Sequence, residues 1–211
     1  MTSITSKMNT TIPSMGDLSE KPKVLFPSHL AHVVLQTTTD KLSVMRDFYI
    51  TFTGGHLVFE NPYSAFTTYD SEHHRIAIVT SPQYKPRVPN VAGLSHMAFT
   101  FASLSDLLTA YQQRKKHGIL PIACVNHGPT TSIYYNDPDG NMIETQVDNF
   151  DTAEEATRYM FGEAFQKNPL GSEFVPEDLI EKLNAGVSEE ELKKKGDGPD
   201  MTPEEFAARL H

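Results

Sequence analysis

The chain has 211 residues, a net charge of −9, nine His, one Cys and no Trp. That length carries one domain, or two small fused modules, with a sizeable core. The acidic balance argues against nucleic acid or an anionic membrane as main partner, since both need clustered Lys and Arg; the lone Cys124 excludes a disulfide framework or thiolate metal cluster; and no run nears the roughly 20 apolar residues of a membrane-spanning helix.

Residues 1–28 are Ser/Thr-rich and lack the apolar stretch of a secretory signal, so a disordered tail and a cytoplasmic protein are expected. A strand is expected over 29–36 (HLAHVVLQ), with His32 in its middle. Leu42, Met45, Phe48 and Tyr49 then fall at helical spacing, ended near Gly54-Gly55. Strands follow over 56–60, 64–69 and 73–80, and a polar, Pro-rich link, SPQYKPRVPN, comes next. The pattern then restarts. A strand over 94–101 contains His96. A helix over 103–117 has Ser103 or Ser105 as its cap and Gly118 at its end. Strands over 121–125, 131–135 and 142–147 complete the unit, the last two joined by the turn Asn136-Asp137-Pro138-Asp139-Gly140. Cys124 lies in the apolar run Pro121–Val125 and reads as a packed thiol.

The order is thus βαβββ twice, in modules 29–80 and 94–148. Three strands in succession after each helix make the fold α+β: two paired βαβββ modules forming a cupped mixed sheet. Residues 149–211 are rich in Glu, Lys, Ala and Leu and read as a helical extension, with helices over 152–165, 176–184 and 188–195 and a capped start at Thr202. The extension's apolar side chains need a surface to cover, on the domain or on a second copy, so a homo-oligomer, a dimer or higher, is expected.

A lone His in a strand is more often structural than a ligand. Placement distinguishes two of the nine: His32 and His96 occupy matching first strands of the two modules. If the modules pack as a pseudo-twofold pair, both imidazoles share a cavity. Glu144, in the last strand, is the third candidate, because a buried carboxylate costs several kcal/mol unless it is paired or metal-bound. Two His and one carboxylate form a facial triad, which suits non-haem Fe(II) and leaves positions open; Mn(II) accepts the same ligands.

The stretch from Asn126 to Glu144 reads NHGPTTSIYYNDPDGNMIE. Its His127, the pair Ile133-Tyr134, the Asp137-Pro138-Asp139-Gly140 turn and Glu144 resemble the signature of the vicinal oxygen chelate superfamily. Within it, the chain is similar to single-domain type I extradiol ring-cleaving dioxygenases, over roughly residues 29–148. The resemblance implies iron ligands at His32, His96 and Glu144. It implies an acid–base His at His74, in the stretch HHRIAI, and substrate-binding side chains at His127 and Tyr134. It implies Fe(II), an aromatic diol and O2 as the chemistry, with the ring opened beside the diol. Phe99, Phe101, Ile133 and side chains of the extension are expected to line the pocket. A glyoxalase-like isomerase or lyase is the nearest alternative, but it usually takes a fourth, Glu ligand, and the strand after His74 offers none. A tailoring oxygenase on a polycyclic phenol and a non-catalytic binding module are the others.

Overall fold

A computed structural model describes residues 25–88, 91–195, 200–202, 204–205 and 208. The expected tail lies outside the described residues up to position 24, and residues 25–31 are exposed and form no helix or strand. The chain divides after Ala31, and everything below concerns the unit that begins at His32.

The first module runs β1 (Val33–Thr37), α1 (Leu42–Thr53), β2 (His56–Asn61), β3 (Ser64–Thr68) and β4 (Ile76–Thr80). The second repeats it as β5 (His96–Thr100), α2 (Leu104–Lys116), β6 (Ala123–Asn126), β7 (Thr130–Asn136) and β8 (Met142–Asp148). Each module closes its own sheet, in the orders β1-β4-β3-β2 and β5-β8-β7-β6. In both, the first and last strands pair in parallel and the others antiparallel.

The helices form where the sequence spaces apolar residues at three and four. Leu42, Met45, Tyr49 and Phe52 of α1 are buried, and so are Leu104, Leu107, Leu108 and Tyr111 of α2. Ser103 caps α2 by accepting from the Asp106 amide at 3.0 Å. Gly54, at φ 69°, takes the left-handed conformation that stops α1.

One core joins the modules. It takes Leu35, Ile76 and Ile78 from the first sheet, Ile133, Tyr135, Ile143 and Val147 from the second, and the buried faces of α1 and α2. Phe52 meets Tyr135 edge-on at 5.2 Å and Phe99 at 6.3 Å. Arg114 lays its guanidinium 4.0 Å above the Phe52 ring and donates Nε to the Phe52 carbonyl at 2.9 Å. That carbonyl lies in the last turn of α1, where helix carbonyls lack partners of their own. One turn earlier in α1, Tyr49 donates to Asp137 at 2.9 Å. Asp137 also accepts from the amides of Asp139 and Asn141. The Asp-Pro-x-Gly turn therefore ties the second sheet to the first helix.

The extension holds α3 (Ala153–Met160), α4 (Glu163–Lys167), β9 (Ser172–Glu173), α5 (Pro176–Asn184) and α6 (Glu189–Lys193). The single helix expected over 152–165 is broken, with Phe161 and Gly162 between α3 and α4. The sequence reading missed β9, which adds a fifth strand to the second sheet beside β6. Gly171, at φ 91°, allows the approach, since a Cβ there would sit 2.2 Å from the Asn126 carbonyl oxygen. Glu189 accepts from the Leu104 and Ser105 amides, both at 2.9 Å, and so closes α6 onto the N-terminus of α2.

Candidate active site

Side chains alternate across a strand, so each sheet has two faces. On the second sheet the inner face carries Met97, Phe99, Ile133, Tyr135, Ile143 and Val147 into the core. The outer face carries His96, Tyr134 and Glu144. Glu144 in β8 lies directly opposite Tyr134 in β7. His96, at the head of β5, places Nε2 2.9 Å from Glu144 Oε2, with their side chains 32% and 7% exposed. His127, just after β6, shares a 2.8 Å hydrogen bond between its Nε2 and the Tyr134 hydroxyl. Tyr134 stands edge-on between the two imidazoles, at 5.7 Å from His96 and 5.9 Å from His127.

The electrostatics follow from this placement. Burial pushes the Glu144 carboxyl up, but hydrogen bonds from His96 and Ser132 and the nearby His96 and His127 rings outweigh it and hold the carboxyl below its ordinary range. Burial lowers His127, against the pull of the Glu144 carboxylate. Burial first, and Glu144 second, raise the Tyr134 hydroxyl, which therefore keeps its proton. Ser132 was not anticipated from the sequence, although it precedes Tyr134 by two residues and so shares its face.

The other two candidates lie on the first sheet. The His32 and His74 rings meet at 4.4 Å, and His74 stacks on Phe66 at 4.9 Å. Neither His is inside a strand: His32 precedes β1 and His74 precedes β4. Strand alternation would turn His73 and His74 apart. Because they sit in a bend instead, their Nδ1 atoms approach to 2.5 Å. Burial, then His32 and His73, lowers His74.

The structure corrects two expected pocket residues. Ile133 is fully buried in the core and Phe99 packs against that core. Both point away from Tyr134 and Glu144, because they stand one residue out of phase with the residues that face the site. Phe101 packs against the same core. Among the remaining His, His29, His56 and His117 are exposed, and His211 lies outside the described residues. Cys124 is half-buried against the core.

His96 Nε2 and the Glu144 carboxylate, 2.9 Å apart, are donor types that a divalent ion takes. The third candidate does not join them. Among the described residues, no group of three or more His, Cys, Asp or Glu is gathered so that it could hold an ion.

The profile of the Glyoxalase/Bleomycin resistance protein/Dioxygenase superfamily matches residues 29–145. The chain is 49% identical over 165 residues to biphenyl-2,3-diol 1,2-dioxygenase 3 of Rhodococcus globerulus, covering 77% of this chain and 86% of that one. It is 43% identical over 175 residues to biphenyl-2,3-diol 1,2-dioxygenase 2 of the same organism, covering 82% and 91%. The crystal structure of a glyoxylase/bleomycin resistance protein/dioxygenase domain from Frankia sp. EAN1pec superposes with a TM-score of 0.50 at 14% identity, covering 62% of this chain and 98% of that one, and speaks for the fold alone.

Proposed function

The chain belongs to the glyoxalase/bleomycin resistance protein/dioxygenase superfamily, and we propose that within it the chain is an extradiol dioxygenase. It opens the aromatic ring of a catechol-type substrate beside the diol and places both atoms of O2 in the product. The observation that carries this reading is the extent of the likeness: 49% identity across most of both chains to an enzyme acting on biphenyl-2,3-diol. An aryl-substituted catechol is accordingly the substrate class. No described helix is long and apolar enough to cross a membrane, in keeping with work in the cytosol.

His96 and Glu144 are two ligands of the metal in this reading, His32 the third, and Fe(II) the ion; Mn(II) accepts the same set. Bound there, the ion supplies a common site for the diol oxygens and O2. The protein's own groups then handle protons. The His127 Nε2 and the Tyr134 hydroxyl, 2.8 Å apart, are one acceptor and one donor to each other, and when substrate parts them each turns to a catechol oxygen. The neutral imidazole takes the proton of one catechol hydroxyl, and the Tyr134 O–H donates to the substrate oxygen that becomes negative. His74, from the first sheet, is the acid–base group on the far side of the ring. The apolar Ala123, Val125 and Met142 beside Tyr134 exclude water from that edge of the site.

The test is oxygen uptake by anaerobically purified protein, with biphenyl-2,3-diol and a panel of catechols, beside metal analysis. Stoichiometric iron or manganese, oxygen consumption and a yellow ring-opened product are expected. Zinc or nickel without oxygen uptake overturns the reading.

A further inference from the structure

The C-terminal extension reaches the face that carries the candidate site. α1 and α2 pack on the inner side of the sheets. On the outer face of the second sheet, Val125, Tyr134, Met142 and Glu144 are nonetheless at most 6% exposed. Two side chains of the extension supply cover there. Met201, 5% exposed, packs with Ala123, Val125, Tyr134 and Met142, and Leu170 packs against the same cluster. Register puts those four sheet residues on the Glu144 side: Ala123 pairs with Tyr134, and Met142 precedes Glu144 by two. Hydrogen bonds fix the extension in this place. The Met201 amide donates to the Gly171 carbonyl at 3.0 Å, and Asp200 bridges to Ser172, whose hydroxyl donates to the Asp200 carboxylate at 3.2 Å. The Asn168 side chain donates to the same carboxylate and to the same Gly171 carbonyl. Leu170, beside this tie, hydrogen-bonds the His127 ring through its backbone.

We propose that Met201 is a specificity-determining residue: its side chain is the apolar wall that receives the aryl substituent of the catechol. The proposal rests on the reading of the chain as an extradiol dioxygenase and assigns the substituent's contact to the extension. The polar groups that grip the diol, His127 Nε2 and the Tyr134 hydroxyl, meet at one point. A catechol held there by its oxygens projects a ring substituent past that point, and the cluster flanking Tyr134 is apolar. Ala123 and Val125 are short side chains fixed in β6. Met201 lies outside any helix or strand and carries a flexible thioether, so it can draw back for an aromatic ring and still touch its edge. Its burial also serves this face alone: Met201 belongs to the cluster around Tyr134 and not to the main core that joins the modules. A pocket of this kind pairs a few placed polar groups with an apolar wall.

The experiment compares two diols on the same preparations. Wild type, Met201→Ala and Met201→Leu are loaded with Fe(II). The Kd of catechol and of biphenyl-2,3-diol is measured without oxygen, and kcat/KM of each is then measured with it. The kcat/KM ratio of two substrates cancels the fraction of chain that is folded and loaded, so a variant that merely loosens the extension leaves it unmoved. In Met201→Ala the preference for biphenyl-2,3-diol over catechol is expected to fall about tenfold in both Kd and kcat/KM, the loss that follows when a hydrophobic pocket gives up a methylene-sized contact. Met201→Leu keeps the apolar bulk and restores most of the preference. A preference that is unchanged or rises in Met201→Ala overturns the proposal and leaves Met201 as an anchor of the extension, with the dioxygenase reading standing. A wild-type chain that binds and cleaves neither diol sinks the dioxygenase reading and this proposal with it.

Discussion

Removing one oxygen atom, in Tyr49→Phe, tests how the two modules are joined. The ring stays and the cavity is unchanged, so the loss is the 2.9 Å hydrogen bond to Asp137, a bond between buried groups. A hydrogen bond to a charged group contributes about 1.5–3 kcal/mol. Asp137 keeps the amides of Asp139 and Asn141 and the Asn141 side chain as donors, so the lower part of that range, about 2 kcal/mol, applies. At about 2–4 °C per kcal/mol for a chain of this size, the melting temperature falls by roughly 4–8 °C. The pH dependence identifies the partner. Burial, against these hydrogen bonds, raises the Asp137 carboxyl above its ordinary 3.8. The Tyr49 bond favours the charged form, and losing it raises the folded-state value further. The difference between wild type and variant is therefore fully present above those values and shrinks as the pH falls through them and Asp137 protonates in both. Urea unfolding at neutral and at mildly acidic pH measures both points. A loss below about 0.5 kcal/mol at neutral pH, or one that grows in acid, refutes the argument.

Glu189→Ala removes the acceptor for two α2 amides and is expected to cost about 1 kcal/mol, with earlier proteolysis of the extension; an unchanged cleavage pattern refutes the tie. Gly171→Ala forces a side chain onto the Asn126 carbonyl, and hydrogen exchange at β9 rises well before exchange in β7 and β8; equal protection refutes the packing. Hydrogen bonds from Lys115 and Tyr111 hold Glu177 below its ordinary 4.5. With a lowered folded-state value, that contact stabilises above 4.5 and is lost as the pH falls through the folded value, so α5 amides exchange faster in acid; acid-insensitive exchange contradicts it. Tyr134→Phe retains iron but turns over about 100-fold more slowly; an unchanged kcat removes Tyr134 from proton handling.

The chain of 211 residues announces most of its elements locally. Helical spacing places Leu42, Met45, Tyr49 and Phe52 on one side of α1, and the Asp137–Gly140 turn separates β7 from β8. The same turn marks Glu144, and His127 with Tyr134 beside it, as a set. Those three positions lie within one short stretch, and β7 and β8 must pair to close the hairpin, so the meeting of Tyr134 and Glu144 on one face follows from local chemistry. The break between α3 and α4 was less visible, since the Thr152–Phe165 stretch keeps its helical composition across Gly162.

What the sequence could not decide is which side of each sheet becomes the inside. Alternation assigns Ile133 and Tyr134 to opposite faces but does not say which face meets a helix and which meets substrate. That choice belongs to contacts distant in sequence: Phe52 on Tyr135, Arg114 on the end of α1, Tyr49 on Asp137. They bury the inner faces against each other and send Phe99 and Ile133 into the core. The same contacts leave His32 on one surface and the His96–Glu144 pair on another. Sequence alone named the candidate residues and most of the strands near them. Only the tertiary structure decided that the candidates stand in two groups, His32 with His74 and His96 with Glu144, because the two sheets bury their inner faces in one core and turn these side chains outward.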